Sequence, residues 1–354
     1  MKPGYSLSTL GLAVITLLLA AIVVSKHNAD QGWEPGWREL AGFQVPRRAL
    51  AAASDGRHLY VVGGVGPDGR YVLPVEYAPI RADGSLGPWR QTSPLREGRF
   101  YLAAVVHRGY LYALGGGGGP LGDDNLPLAS VERAAIRDDG SLGPWQIHSY
   151  LTTPRRGLKA VLAGDQLYAI GGYNGQFLKS IERLSLAGPA DWVLEAQQAR
   201  IDRYIHAAAR HGRHLYLLGG HVKKAGPMSY GDVEFAPIGA DGRLGAWSVA
   251  PSHLRHPRFI ASAFVLGDYL YLAGGHDGIN RLNDVEMAPV RSDGSLGHWQ
   301  PQPALRHRRS ATAAVVVGNR VYLCGGMDNG GVLRSVEMAE LGPRGRLRHR
   351  PRPT

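Results

Sequence analysis

The sequence predicts an all-β chain, a six-bladed β-propeller of four-stranded antiparallel sheets closed into a ring by the N-terminal strand. Three observations predict it. A strand ending in two glycines recurs six times, its tyrosines lie 52, 56, 48, 55 and 51 residues apart, and six tryptophans keep step with the repeats. A period near this length marks repeat architectures in which one supersecondary unit cannot bury its apolar face alone.

The glycine-paired strands begin with Tyr60-Val-Val-Gly63-Gly64, Tyr112-Ala-Leu-Gly115-Gly116 and Tyr168-Ala-Ile-Gly171-Gly172. Tyr216-Leu-Leu-Gly219-Gly220, Tyr271-Leu-Ala-Gly274-Gly275 and Tyr322-Leu-Cys-Gly325-Gly326 complete the set. Each unit divides into four short strands. The first is rich in small residues, as at Ala51-Ala52-Ala53 and Ala207-Ala208-Ala209, which suits strands crowded around an axis. Hairpin chemistry follows at Asp55-Gly56, Gly164-Asp165, Gly267-Asp268 and Gly318-Asn319. The glycine-paired strand is second. The third carries Val75-Glu76, Val131-Glu132, Ile181-Glu182, Val233-Glu234, Val285-Glu286 or Val336-Glu337, and the fourth begins at a tryptophan.

Between the third and fourth strands lies Asp83-Gly-Ser-Leu-Gly-Pro-Trp89, with counterparts from Asp139 to Trp145, Asp241 to Trp247 and Asp293 to Trp299. Asp-Gly opens a turn and the Trp fills the gap between blades. Blade 3 departs, shortened to Gly188-Pro-Ala-Asp191-Trp192. Blade 6 lacks a Trp strand, while an unassigned Trp37 precedes blade 1. The N-terminal strand is therefore expected to complete blade 6 and remove an exposed edge.

A strand, a Gly-Gly pair and a later Trp at this period resemble the kelch repeat, across about residues 37–341. Six-bladed kelch proteins similar to this one include the bacterial N-acetylneuraminate epimerases (mutarotases). That likeness implies, as an alternative function, a periplasmic enzyme acting on a carboxylated sugar such as sialic acid. Glu97 and Asp202 are the nearest acid–base candidates, each also readable as a surface charge. Galactose-oxidase-like copper enzymes share the architecture but require a Cys–Tyr crosslink. The single cysteine, Cys324, occupies an ordinary core position of the repeat, so no cofactor is expected.

Three segments are expected: residues 1–28 as a signal-anchor or signal peptide, 33–341 as the propeller, and 342–354 as a basic disordered tail. Residues 7–24 are almost wholly apolar, longer than a usual signal core and near the length that spans a bilayer. A membrane-anchored helix with an extracytoplasmic propeller follows as the expectation, or a secreted one if that segment is cut. The formal charge is +11, with Arg344, Arg346, Arg348, Arg350 and Arg352 concentrated in the tail. The remaining excess is modest and gives no reason to expect nucleic acid as a partner.

Topology places the start of strand one and the loop after strand two on one face. Arg48, Arg99, Arg156, Arg203, Arg258 and Arg309 stand 15 or 16 residues before their Gly-Gly pairs. Tyr173, Asn174, His221 and His276 follow those glycines, and Phe100-Tyr101, Tyr204 and Phe259 follow some of the arginines. Two arrangements fit. The guanidinium groups ring the channel mouth and bind a carboxylate-bearing glycan or protein ligand, or each clasps a third-strand glutamate that cannot be buried alone. Spacings such as His211-x-x-His214 do not converge on one ion in strand and loop contexts, so no metal site is expected. The expectation is a binding module presenting this loop face.

Overall fold

The computed structural model of the chain describes residues 33–122, 125–221 and 229–350. It is a ring of six sheets. Blade 1 comprises Ala51–Ser54, His58–Val62, Val75–Pro79 and Arg90–Thr92, and blade 2 Ala103–His107, Tyr110–Leu114, Ser130–Ala135 and Gln146–Tyr150. Blade 3 comprises Lys159–Ala163, Gln166–Ile170, Ile181–Ser185 and Val193–Leu194. Blade 4 follows with Ala207–His211, His214–Leu218, Val233–Pro237 and Ser248–Val249. Blade 5 uses Ser262–Leu266, Tyr269–Ala273, Val285–Pro289 and Gln300–Gln302.

Blade 6 takes Ala313–Val317, Arg320–Cys324 and Val336–Leu341 from the end of the chain, and its outer strand, Arg38–Leu40, from the beginning. Arg38 lies opposite Met338 and Leu40 opposite Val336, as the count of tryptophans required. Trp37 is buried, packs edge-on against Phe264 at 6.2 Å, and donates its indole N–H to the Pro303 carbonyl at 3.1 Å. Trp37 is therefore wedged between blades 5 and 6 and anchors the N-terminal strand.

The expected disordered tail is corrected over its described part. Leu347–His349 forms a strand that pairs with the end of Val336–Leu341 on one side and with Glu34–Pro35 on the other. The cause is an alternation with strand period: Leu347 and His349 are buried while Arg346 and Arg350 are exposed. Arg348 and Arg350 flank the Trp33 ring at 4.2 and 4.7 Å. The expected N-terminal membrane helix lies outside the described residues. Among the described residues no helix is long and apolar enough to cross a membrane.

The apolar core is six wedges, one between each pair of neighbouring blades, rather than one central mass. Polar ties cross the same gaps. The second-strand tyrosine of one blade donates its hydroxyl to the turn glycine of the next: Tyr60 to the Gly140 carbonyl at 2.8 Å, Tyr216 to Gly294 at 2.8 Å and Tyr322 to Gly84 at 3.0 Å. Tyr271 reaches Gly345 at 2.6 Å, so the C-terminal segment supplies the turn that blade 6 otherwise lacks. Tyr168 makes the same bond to Gly242. Blade 3 has no Asp-Gly turn, and Tyr112, which faces it, makes no such bond among the described residues.

Because Trp37 fills a gap between blades, Trp37→Ala should lower unfolding free energy by about 3–5 kcal/mol in chemical denaturation. A loss below about 1 kcal/mol would show that the N-terminal strand is peripheral.

Candidate functional site at the channel mouth

An arginine before each first strand is buried without contact with water, and it holds a buried glutamate of its own blade. The pairs are Arg47–Glu76 at 2.6 Å, Arg99–Glu132 at 2.5 Å, Arg155–Glu182 at 2.6 Å, Arg203–Glu234 at 3.1 Å, Arg258–Glu286 at 2.8 Å and Arg309–Glu337 at 2.7 Å. Each guanidinium also donates to the carbonyl of the first glycine of its pair, for example Arg155 to Gly171 at 2.8 Å and Arg258 to Gly274 at 3.0 Å. The glutamates accept backbone N–H groups from the incoming chain, as Glu182 does from Thr152 and Thr153 at 2.6 and 3.1 Å. Burial draws the Arg47 pKa down to about 10, opposed by the Glu76 carboxylate beside it, so the guanidinium stays charged at neutral pH. Burial likewise raises the Glu286 carboxyl, opposed by Arg258.

This geometry corrects the expected ligand-binding ring. Arg99, Arg203, Arg258 and Arg309 are structural clasps closed off from solvent. The clasps of blades 1 and 3 are Arg47 and Arg155, because every clasp stands 16 residues before its first glycine. Arg48 and Arg156 belong to the next position along. There Arg48, Phe100, Arg156, Tyr204, Phe259 and Ser310 bridge across to Val65, Gly117, Tyr173, His221, His276 and Met327. These twelve residues form the channel mouth. Glu97, an acid–base candidate, binds Arg99 at 2.9 Å and Ser130 at 2.6 Å, and so serves the blade 2 clasp.

Tyr173, His221 and His276 stand together in an aromatic arc. Tyr173 meets Tyr204 at 5.4 Å, Phe177 meets His221 at 5.9 Å, and Phe259 lies 5.3 Å from both His221 and His276. Across the mouth Phe100 packs on Tyr71 and Tyr101 at 6.1 and 5.3 Å. Asn174 turns its loop, its N–H donating to Gln176, while its side-chain oxygen is buried without a partner among the described residues. Arg156 stacks on Tyr173 and Tyr204 at 4.8 and 5.8 Å and donates to Asn125. Arg48 has neither an ion pair nor a side-chain hydrogen bond among the described residues. Arg281 binds Asn329 at 3.1 Å and, after burial, is the main influence holding the His276 imidazole pKa low. Sequence reasoning missed Arg281 and Phe177, because the position they share with Tyr71, Ser229 and Val332 changes residue type from blade to blade.

A cavity of about 510 Å³ opens here, walled by Arg48, Phe100, Leu121, Asn125, Arg156 and Tyr204. Its wall combines cations without carboxylate partners and stacked rings, a setting for a carboxylate attached to an apolar or planar body. On the surrounding loops Ile279 is 87 % exposed and Leu126 60 %. Other singled-out groups are local. His211 pairs with Asp268, His253 with Asp232 and His256 with Asp284, and Cys324 is a core residue whose thiol pKa burial pushes up to about 12.

Comparison with known proteins gives a consistent family signal. The Kelch motif family model matches residues 154–188, 257–287 and 308–338. Kelch-like protein 34 of Homo sapiens is 30% identical over 287 residues, covering 75% of this chain and 40% of that protein. Beta-scruin of Limulus polyphemus is 32% identical over 152 residues, 42% of this chain and 16% of that protein. The chain thus spans less than half the length of these curated relatives. The solved structure of YjhT superposes with a TM-score of 0.70 at 16% identity, covering 87% of this chain and 98% of that one, a likeness of fold.

The two classes of arginine should separate by mutation. Arg99→Ala leaves Glu132 buried and unpaired and should destabilise by about 3–5 kcal/mol, whereas Arg48→Ala should stay within about 0.5 kcal/mol. Equal effects in urea denaturation would refute the division.

Proposed function

This chain is a kelch-repeat six-bladed β-propeller, and on that premise we propose that it is a protein-interaction module whose channel mouth captures an acidic, apolar-flanked segment of a partner protein. One observation carries the proposal: Arg48 and Arg156 point no charge at any described carboxylate, while six arginines one position earlier or equivalent to it are all neutralised. Guanidinium groups beside stacked rings favour a carboxylate, and charge-assisted pairs are the stronger hydrogen bonds. Exposed Ile279, Leu121 and Leu126 on the rim favour a protein partner over a single sugar, since apolar anchors add area that a monosaccharide cannot cover. The curated relatives support protein binding only as kelch proteins in general. Residues 7–24 support delivery of the propeller onto or across a membrane, a part of the proposal that rests on sequence alone.

Fluorescence anisotropy with a labelled twelve-residue peptide alternating Glu with Leu and Tyr tests it. Wild type should bind, more weakly as salt rises. Arg48→Ala and Arg156→Ala should each weaken binding roughly tenfold, the effect of losing one charge-assisted contact. Binding unchanged in both variants, or a mouth that takes N-acetylneuraminate but not the peptide, would overturn the proposal.

A further inference from the structure

Pseudo-sixfold symmetry shows what the fold requires, and one seam departs from it three times. Three residues past each clasp the blades carry Leu50, Leu102, Leu158, His206, Ala261 and Thr312, and one residue further Ala51, Ala103, Lys159, Ala207, Ser262 and Ala313. Five blades thus line the upper channel with small or neutral side chains at the second position. Blade 3 places an ammonium there and blade 4 an imidazole beside it. The preceding residues, Ala49, Tyr101, Gly157, Ile205, Ile260 and Ala311, all have positive φ between 47° and 64° and form a girdle below the mouth. Backbone N–H groups link the girdle from blade to blade: Tyr101 to Ala49 at 2.7 Å, Gly157 to Tyr101 at 2.8 Å, Ala49 to Ala311 at 2.9 Å, Ala311 to Ile260 at 3.0 Å and Ile260 to Ile205 at 2.8 Å. Among the described residues the remaining link, from Ile205 to Gly157, is not made. The break falls between blades 3 and 4, where Lys159 and His206 stand.

Neither group has a partner among the described residues. His206 is wholly buried, neither ring nitrogen has a partner, and its imidazole lies against Gly171. Lys159 makes no ion pair or hydrogen bond among the described residues. The charged groups that face His206 are Lys159, Arg203 and Arg155, and both arginines are already engaged by Glu234 and Glu182. Lys159, Gly157 and Ile205 line one cavity of about 20 Å³ beneath the girdle, which continues into an alanine-lined channel cavity of about 130 Å³. The first alone holds one water-sized species, and the two together admit an anion of a few heavy atoms.

We infer that the seam between blades 3 and 4 is a binding site for a small monovalent anion, a halide or a carboxylate group, held by the Lys159 ammonium that lines the chamber, with the unpartnered His206 imidazole buried in the same seam. Lys159 is half-buried and lines the channel, so an anion there compensates a cation that the fold itself leaves alone. Burial draws the Lys159 pKa down from 10.5 to about 8, and burial with Lys159 and the two arginines holds His206 well below its ordinary value. Both shifts are those of basic groups lacking a counter-charge.

Thermal unfolding of the full chain tests the inference, with Lys159→Ala and His206→Leu as variants. Each installs the residue that other blades carry at that position, so each should fold. Replacing sodium gluconate, whose anion exceeds the chamber, by chloride or acetate at fixed ionic strength should raise the wild-type Tm by roughly 2–4 °C. Both variants should lose that rise, while Lys179→Ala, an exposed lysine, and Arg48→Ala keep it. Chloride alone acting identifies a free halide; acetate acting identifies the carboxylate of a larger ligand. In gluconate, Lys159→Ala should be more stable than wild type below pH 8, and the gap should close as pH rises toward 10.5, because the folded lysine releases its proton before the unfolded one. No wild-type response to either anion, a response surviving in either channel variant, or wild type more stable than Lys159→Ala below pH 8 would overturn the site. Loss of peptide binding in Arg48→Ala with the anion response intact would leave it standing, so the mouth and the channel fail separately.

Discussion

The buried arginine clasp is the interaction on which the ring depends. An arginine and a glutamate taken out of water repay their desolvation only if nearly every donor and acceptor is used. Here the guanidinium serves the glutamate and the first glycine carbonyl of its own blade. The same arginine offers its backbone carbonyl to the blade before it: the second glycine of each pair donates there, from Gly64 to Arg99 at 2.9 Å round to Gly326 and Arg47 at 3.0 Å. One residue thus fixes the inside of its blade and the joint to its neighbour, and the joints close. The requirement explains the glycines. Gly63 has φ +62°, and a Cβ on it would come within 2.7 Å of the Arg99 carbonyl oxygen. A side chain there would push the blades apart.

That constraint divides the molecule into repeated and unrepeated positions. The clasps and the inter-blade tryptophans recur at every joint, and the tyrosine-to-glycine bonds at all but the joint between blades 2 and 3. Arg48, Arg156, Arg281, Lys159 and His206 do not recur, and none of them takes part in a clasp. They lie at blades 1, 3, 4 and 5, above and below the girdle. Binding chemistry at a mouth needs no movement of the blades, since the girdle and clasps hold the rim in place.

The number of blades, the strand order and closure by Trp37 were legible because they depend on spacing and on one large residue per repeat. Register near the channel was not. Arg47-Arg48 and Arg155-Arg156 are doublets, so a tolerance of one residue merged two rings of opposite character, one buried and neutralised, the other facing the mouth. Choice between clasp and ligand ring also needed burial, which spacing alone does not report. In the tail, net charge hid the buried alternation of Leu347 and His349. His206 was silent for a different cause: its meaning lies in replacing a leucine found at the matching position of blades 1 to 3, a comparison that requires the register to be right first.

A double-mutant cycle at Arg309 and Glu337, each replaced by methionine, tests the central claim most directly. Each single substitution should lose about 3–5 kcal/mol and the double far less than their sum, a coupling of about 2 kcal/mol or more. Additive losses, or single losses below about 1 kcal/mol, would contradict a ring held by buried clasps.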